Sequence, residues 1–208
     1  AVLANDVANI DTLLDSYNLT KQGNPIPGLT GNVSGTGSAS GTDALSVNAA
    51  NIASGDYSFA SGLGTQATGI ASFSSGISSI ASNYASHAEG VATRSSGVGS
   101  HAEGGGTRAL GSYSHAEGDP TIALGYASHA EGVNTYAFGY ASHAEGYGCT
   151  ALGSVSHSEG VNCHAGGTGC HAEGVGCTAT SFNLGGGNHA EGTECLAQGT
   201  GAHAEGFR

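Results

Sequence analysis

The stretch that decides the fold is "SHAEGVNTYAFGYASHAEG", residues 128–146, in which one pentapeptide stands at both ends of a fourteen-residue step. His-Ala-Glu-Gly or a near copy occurs nine times, always fourteen residues apart except for one step of eighteen. The copies begin at His87, His101, His115, His129, His143, His157, His171, His189 and His203. A catalytic site needs one such pair, whereas self-similarity at a fixed period indicates a repeat architecture.

A second series of the form x-Ala-x-Gly lies midway between these copies, as in "RALG" (108–111), "IALG" (122–125) and "YAFG" (136–139). The unit is therefore seven residues long, and two units make one fourteen-residue turn. "FASG" (59–62) and "FSSG" (73–76) occupy the histidine slot in the earlier turns. The eighteen-residue step predicts a four-residue insertion at "ATSFNLGGGN" (179–188).

A helix is a poor explanation of this heptad, because a glycine in every unit costs about 1 kcal/mol relative to alanine. Short strands joined by tight turns fit better, since glycine supplies positive φ. In "SHAEG" the alternation of a strand puts Ser, Ala and Gly on one face and His and Glu on the other. We therefore predict an all-β fold: a parallel β-solenoid over residues 45–208 with two short strands per turn. Some twelve turns stacked about 4.8 Å apart give a rod on the order of 55 Å.

Composition and charge exclude several classes of protein. The 208 residues include 38 glycines and neither Trp nor Met, so a large aliphatic core cannot form. The net charge is −12, and the only basic residues are Lys21, Arg94, Arg108 and Arg208, which excludes nucleic-acid binding. No apolar run is long enough to span a bilayer, and no signal peptide is visible. Because the chain starts without Met and stops after a complete repeat, we expect a processed product or a fragment.

The first twenty residues differ from the rest. Leu3, Val7, Ile10 and Leu14 follow the 4-3-4 spacing of a coiled-coil seam, so residues 1–20 are predicted to form a short coiled-coil helix. The alternative is a short amphipathic helix packed on its own domain. "KQGNPIPG" breaks this helix, and residues 21–44 are predicted to be a linker rich in Gly, Pro and Ser.

The repeats from about residue 45 to 206 resemble the head repeats of trimeric autotransporter adhesins, the haemagglutinin type. That pattern runs S-V-A-I-G, and "SHAEG" matches it at Ser, Ala and Gly, while "TYAFG" and "CTALG" fall at the second strand. The resemblance implies a left-handed parallel β-roll and a homotrimer in which the Val and Ile positions face the trimer axis. This chain departs from the family there, because His and Glu fill those positions. The "SHAEG" variants also resemble repeats of phage and prophage tail fibres.

The His and Glu columns are the candidate interface, because the same residue recurs in every turn, whereas a solvent-facing column would vary. The His column also has Phe in the turns before the first histidine. We predict that they meet the trimer axis, where His–Glu pairing between chains fixes register and carboxylates favour protonated His. The predicted interface comprises the four seam residues Leu3, Val7, Ile10 and Leu14, the two phenylalanines Phe59 and Phe73, the nine histidines, and Glu89, Glu103, Glu117, Glu131, Glu145, Glu159, Glu173, Glu191 and Glu205. Receptor contacts are predicted where residues vary, at Arg94, Arg108, Tyr136, Phe182 and Asn183.

Metal binding is the competing hypothesis for these columns, with three histidines from three chains around one ion. The spacing gives it no support, since each chain supplies one His per turn, and we predict no cofactor and no metal. The five cysteines, Cys149, Cys163, Cys170, Cys177 and Cys195, take small inward positions and are predicted to be free thiols; disulfides are the alternative. Neighbouring Ser and His point to opposite faces of a strand, so no catalytic Ser–His pair forms and we predict no enzyme.

The sequence therefore predicts a structural and adhesive protein. The first hypothesis is a trimeric tail-fibre-like shaft of a virion that attaches to a host-surface protein or glycan. The second is the head of a bacterial surface adhesin, and the third is a metal-stabilised trimeric fibre. Flanking sequence separates the first two, because a self-cleaving chaperone indicates a fibre and a membrane anchor indicates an adhesin.

Overall fold

The computed structural model describes residues 37–47, 50–181 and 186–208, and their regular secondary structure is entirely β-strand. These residues belong to one compact unit. The predicted coiled-coil helix 1–20 with its seam Leu3, Val7, Ile10 and Leu14 lies outside the described residues, as do Phe182 and Asn183. Within the described ranges, no helix has the length and apolar character needed to cross a membrane.

The strands form two parallel sheets of twelve strands each, and successive strands along the chain alternate between them. The first sheet holds the odd-numbered strands β1 (Ser38–Ala39), β3 (Ile52–Ala53), β5 (Gln66–Ala67), β7 (Ile80–Ala81), β9 (Arg94–Ser95), β11 (Arg108–Ala109), β13 (Thr121–Ala123), β15 (Thr135–Ala137), β17 (Thr150–Ala151), β19 (His164–Ala165), β21 (Thr178–Thr180) and β23 (Leu196–Gln198). The second holds the even-numbered strands β2 (Leu45–Val47), β4 (Phe59–Leu63), β6 (Phe73–Ile77), β8 (His87–Val91), β10 (His101–Gly105), β12 (His115–Gly118), β14 (His129–Gly132), β16 (His143–Ala144), β18 (His157–Val161), β20 (His171–Val175), β22 (His189–Thr193) and β24 (His203–Phe207). The predicted all-β parallel solenoid of about twelve turns is confirmed.

The register repeats every fourteen residues, so identical motif positions stack on one another. His101 pairs with His115, and Glu103 pairs with Glu117. The eighteen-residue step does not disturb this register, because His171 still pairs with His189 and Glu173 with Glu191. The four extra residues are therefore accommodated between β21 and β22, outside the ladder.

The core between the sheets consists of small side chains. One alanine from each strand is fully buried in most turns, as at Ala102, Ala109, Ala116 and Ala123. A serine precedes six of the nine histidines and is buried as well, and its hydroxyl donates to the carbonyl three residues earlier, 2.8 Å away for Ser128 and Gly125. Backbone bonds between turns, supported by these short side-chain bonds, replace the large apolar core of a globular domain.

Glycine occupies two points of most turns because successive turns pack backbone against backbone. At Gly125 an added Cβ would lie 1.8 Å from the carbonyl oxygen of Gly139 in the next turn. At Gly132 the backbone also has a φ of +102°, a conformation that L side chains rarely adopt. The sequence predicts that this second glycine faces inward with Ser and Ala. Its positive φ turns the chain there instead, and Gly132 is partly exposed.

The regular solenoid begins before residue 45. Strand β1 (Ser38–Ala39) lies within the segment predicted to be a linker and pairs with β3 in the fourteen-residue register. The reason is visible in "SASG" (38–41), which follows the x-Ala-x-Gly pattern with Ala39 fourteen residues before Ala53.

Two buried asparagines form side-chain hydrogen bonds to the backbone of the following turn. The side-chain oxygen of Asn188, directly after the insertion, accepts from the amide of Ala202 at 2.8 Å. Its side-chain NH2 donates to the carbonyl of Gly199 at 2.8 Å. Asn51 makes the equivalent bonds to Thr65 and Gly62 near the start of the solenoid. Each amide side chain thus satisfies a donor and an acceptor of the following turn that would otherwise be buried unpaired.

Candidate functional site: a histidine–glutamate ladder

The outer face of the even-numbered sheet carries a ladder of histidines and glutamates, which we call the His–Glu ladder. It comprises the nine histidines from His87 to His203 and the glutamate two residues after each of them. Alternation along each strand explains the arrangement, since the alanine between the two is buried and both neighbours face outward. The parallel register then stacks His on His and Glu on Glu.

The imidazole rings form a continuous stack. From His101 to His189 the ring centroids of adjacent turns are 4.8 to 4.9 Å apart, with interplanar angles of 1° to 7°. Two phenylalanine rings continue the stack before the first histidine. The ring centroids of Phe59 and Phe73 are 5.2 Å apart, and those of Phe73 and His87 are 4.5 Å apart. The spacing equals that of the strands, so the backbone register sets the stack.

Each imidazole Nε2 atom points towards carboxylates without reaching hydrogen-bonding distance. Nε2 of His129 lies 3.4 Å from Glu117 of the preceding turn and 3.8 Å from Glu131 of its own turn. Nε2 of His171 lies 4.0 Å from Glu159 and 3.4 Å from Glu173. These separations exceed the 2.7–3.2 Å of an N–H···O bond.

The Nε2 atoms are nevertheless shielded from solvent. Those of all the ladder histidines except His203 are buried with no hydrogen-bond partner. The side chains as a whole are half-buried, since those from His87 to Glu191 keep between 31% and 43% of their surface exposed. Buried polar atoms without partners are rare in native proteins and call for an ion, a water or a further protein surface.

Burial decides the ionisation of two ladder histidines. Burial, followed by repulsion from the neighbouring histidines, lowers the pKa of His101. The same causes lower the pKa of His171. The glutamates act in the opposite direction but contribute less. The carboxylates favour the protonated form of these two residues, as predicted, but within the single chain the loss of solvent and the stacked rings above and below outweigh them. The balance at a trimer axis stays a prediction.

A groove follows the carboxylate side of the His–Glu ladder. It is open to solvent, has a volume of about 450 Å³, and is bounded by Ser75, Glu89, Glu103 and Glu117 together with the motif glycines. The groove gives cations and small polar ligands direct access to the glutamates, and its charge disfavours anions.

An exposed apolar stripe runs beside the ladder, and the sequence reasoning missed it. It consists of the apolar residues that directly follow the motif glycine in eight turns: Leu63, Ile77, Val91, Val133, Tyr147, Val161, Val175 and Phe207. The same position holds Gly105, Asp119 and Thr193 in three other turns, which interrupt the stripe. Leu63 is 61% exposed and Val91 is 53% exposed. The signal was present in the sequence, since most copies of the motif are followed by a residue of this kind. Exposed apolar surface of this kind is common at sites where a protein binds another molecule.

Three of the five predicted receptor contacts lie on the opposite sheet. Arg94 and Arg108 are exposed, and Tyr136 is partly buried with its ring centroid 5.8 Å from that of Phe138. Leu124 and Leu152 are exposed beside them at 48% and 44%. The structure thus brings Arg94, Arg108 and Tyr136 onto one face, distant in sequence from the undescribed Phe182 and Asn183.

All five cysteines are free and buried, as predicted. Cys163, Cys177 and Cys195 each donate a thiol hydrogen to a glycine carbonyl of the following turn, at 3.2 to 3.3 Å. The Cys163 thiol lowers the pKa of Cys149, while the same contact together with burial raises the pKa of Cys163. The thiols therefore act as small core side chains that also bond to the next turn.

Comparison with known families agrees with this architecture. Residues 102–128, 116–134 and 130–156 match the model of the YadA head domain repeat. No curated protein matches the chain. The resemblance to the head repeats of trimeric autotransporter adhesins is therefore confirmed over residues 102–156, which hold the most regular turns of the ladder. The resemblance to tail-fibre repeats stays a prediction.

Proposed function

We propose that the chain is a rod-like head segment of a trimeric, adhesin-like surface protein, located outside the cell. The match of residues 102–156 to the YadA head domain repeat supports this proposal, since heads of that type are usually trimeric. The observation that carries it is the outer face of the even-numbered sheet, where half-buried His–Glu pairs occupy nine turns and an exposed apolar residue lies beside the pair in six of them.

This face has the composition of a protein–protein interface. The apolar stripe alone exposes Leu63, Ile77 and Val91 in three consecutive turns, and a monomeric soluble protein rarely leaves such a contiguous surface uncovered. Among the described residues, the Nε2 atoms of eight ladder histidines have no hydrogen-bond partner and lie 3.4 to 4.0 Å from the nearest carboxylates. Three copies meeting on this face would bury the stripe and supply carboxylates to the orphan Nε2 atoms. Such polar pairs between chains would fix the register, because a shift by one turn leaves the terminal His and Glu unpaired.

The solution mass tests the chain number directly. We expect light scattering at neutral pH in the presence of a chelator to give three times the chain mass of 20.1 kDa. A monomer under these conditions would mean that the ladder faces solvent and that the proposal is wrong.

A variant series locates the interface. Replacing His115, His129 and His143 with Gln should weaken the trimer, which would then dissociate at higher protein concentration than the unmodified chain. The matched control is His164→Gln, on the opposite sheet, which should leave the dissociation unchanged. Equal dissociation of the triple variant and the unmodified protein would place the interface elsewhere.

We propose that the role is not enzymatic. The serine beside each histidine is unsuited to nucleophilic catalysis, as Ser128 shows: it is 1% exposed, and its hydroxyl donates to the Gly125 carbonyl at 2.8 Å. His129 lies on the other face of the strand. Incubation with generic ester and peptide substrates should therefore give no turnover above that of a His129→Gln variant.

Attachment is assigned to the odd-numbered sheet, which stays free when the even-numbered sheet is covered. Arg94, Arg108 and Tyr136 lie on that sheet, and Arg94 and Arg108 are two of only four basic residues in an acidic chain. Beads coated with the protein should adhere to cultured epithelial cells, and an Arg94→Ser, Arg108→Ser, Tyr136→Ser variant should adhere less. His164→Ser, on the same sheet, is the matched control. Unchanged adhesion of the triple variant would exclude this surface.

A tail-fibre shaft is the second candidate, favoured by one feature of the chain. The predicted coiled-coil segment precedes the repeats, whereas the usual adhesin has the head first and the stalk after it. Sequencing the flanking region discriminates between the two: a self-cleaving chaperone downstream supports the fibre, and a membrane anchor supports the adhesin.

A further inference from the structure

We propose that the His–Glu ladder binds first-row transition-metal ions such as Zn2+ at sites that are complete within one chain. Each site consists of the histidines of two adjacent turns and the glutamate that lies between them. The five candidate triads are His87, Glu89 and His101; His115, Glu117 and His129; His129, Glu131 and His143; His157, Glu159 and His171; and His171, Glu173 and His189. Within each triad the ligand atoms lie within 4.8 Å of one another.

The donors suit this class of ion. Imidazole nitrogen together with carboxylate oxygen is a donor set typical of Zn2+, Ni2+ and Cu2+ sites, whereas Mg2+ and Ca2+ prefer oxygen alone. In the single chain the groove along Glu89, Glu103 and Glu117 is open and its negative charge attracts cations, so an ion can enter before the chains associate.

The separations between ligand atoms also fit. Nε2 of His129 and the nearer carboxylate oxygen of Glu117 are 3.4 Å apart, as are those of His171 and Glu173. An ion with bonds of about 2.0–2.1 Å to both atoms subtends an angle of about 110° there, close to the tetrahedral value. The same 3.4 Å is too long for a hydrogen bond, so the pair is spaced for an intervening ion and not for direct contact.

The second histidine of each triad must move slightly to bind. Rings stacked 4.8 Å apart place their nitrogens too far apart for one ion, because two bonds of about 2.1 Å span at most about 4.2 Å. A tilt of one ring towards the groove closes this gap, and water can hold the fourth position. The ion would then occupy the one place where buried Nε2 atoms lack any partner in the chain.

The arrangement sets the number of ions. Neighbouring triads share His129 and share His171, so one chain can fill at most three triads at once. The metal site considered from the sequence consists of three histidines from three chains around one axis. The stacked register shows instead that two turns of a single chain supply two histidines and a carboxylate, whatever the number of chains in the assembly.

The test uses the full chain without an affinity tag, loaded with excess Zn2+ and dialysed, with bound zinc measured by elemental analysis. We expect about three ions per chain. The double variant His129→Gln, His171→Gln removes four of the five triads and should retain one ion. The matched control His164→Gln, His203→Gln loses two histidines that belong to no triad and should retain three.

Three results would overturn the proposal: no zinc after dialysis, the same loss in both double variants, or zinc that scales only with the total number of histidines. Circular dichroism first establishes that each variant is folded. If the double histidine variant is not folded, the glutamate variant Glu117→Gln, Glu131→Gln, Glu159→Gln, Glu173→Gln replaces it, and the same fall to one ion is expected. Substitution by Co2+ adds a spectroscopic check, since tetrahedral binding gives a strong visible absorption that the unbound aqueous ion lacks.

Discussion

Replacing Gly125 with alanine should be among the most damaging single-methyl changes in this protein. The new Cβ would lie 1.8 Å from the Gly139 carbonyl oxygen and 2.6 Å from its carbonyl carbon, in the backbone of the next turn. Real Cβ atoms essentially never approach closer than 3.0 Å, so the next turn must move by at least 1.2 Å. The bonds that join these turns run from the amides of Leu124 and Gly125 to the Ala137 carbonyl, at 2.9 and 3.3 Å. A shift of that size breaks both.

Each broken bond leaves buried polar groups unpaired, so the free energy of unfolding should fall by about 3–5 kcal/mol. Urea denaturation at fixed protein concentration, followed by circular dichroism, measures this change. The matched control is Gly64→Ala, where φ is +67° and the nearest atom is 3.9 Å away. The Gly64→Ala variant has the cost of a positive φ without a steric clash, and its free energy of unfolding should fall by about 1 kcal/mol. If both variants lose the same free energy, the backbone-on-backbone packing described here does not limit stability, and the reasoning fails.

Three further predictions concern the turns and the ladder. Asn188→Ala should lower the free energy of unfolding by about 3 kcal/mol, because the Ala202 amide and the Gly199 carbonyl lose their partner. The control is Asn134→Ala, at a partly buried bend with a φ of +55°, which should cost about 1 kcal/mol; equal urea midpoints would contradict the role of Asn188. Val155→Gly should raise the free energy of unfolding by about 0.5–1 kcal/mol, since Val155 is 62% exposed and has a φ of +55°. The control Val161→Gly, in a strand, should lower the free energy of unfolding. With a chelator present, the free energy of unfolding should fall as the pH drops below 6.5, the ordinary pKa of histidine. The pKa values of His101 and His171 are lowered in the folded state, so the unfolded chain takes up protons there more readily. A His101→Gln, His171→Gln variant should show a shallower fall in a urea and pH series, and an unchanged slope would refute the assignment.

Much of the ladder could be predicted from the sequence because its geometry is that of a strand. The two-residue alternation places His129 and Glu131 on one face, and the fourteen-residue period places His129 beside His143. The ionisation could not be predicted, because it depends on how closely the rings stack and how far each is removed from water. His101 and His171 are held towards the neutral form by burial and by adjacent imidazoles, which a sequence pattern does not measure.

The apolar stripe shows a different limit. Val91 follows its motif glycine in the printed sequence, but whether such a residue is buried or exposed depends on the path of the chain after the glycine. The positive φ of Gly90 turns the strand there, and Val91 emerges 53% exposed beside the ladder. The partner of His129 is set in the same way: its closest carboxylate is Glu117, twelve residues earlier and one turn below, and not its sequence neighbour Glu131.

The sequence by itself determined the period, the alternation of two strands per turn, the small-residue core and the stacking of like on like, because these follow from repeat length and strand geometry. Only the tertiary structure decided the ångström-scale relations between turns: imidazoles 4.8 Å apart, His–Glu separations of 3.4 to 4.0 Å, and glycine backbones too close for a Cβ. Those distances arise from hydrogen bonds that join one turn to the next, and a hydrogen bond between residues thirteen or fifteen apart has no signature in the local sequence.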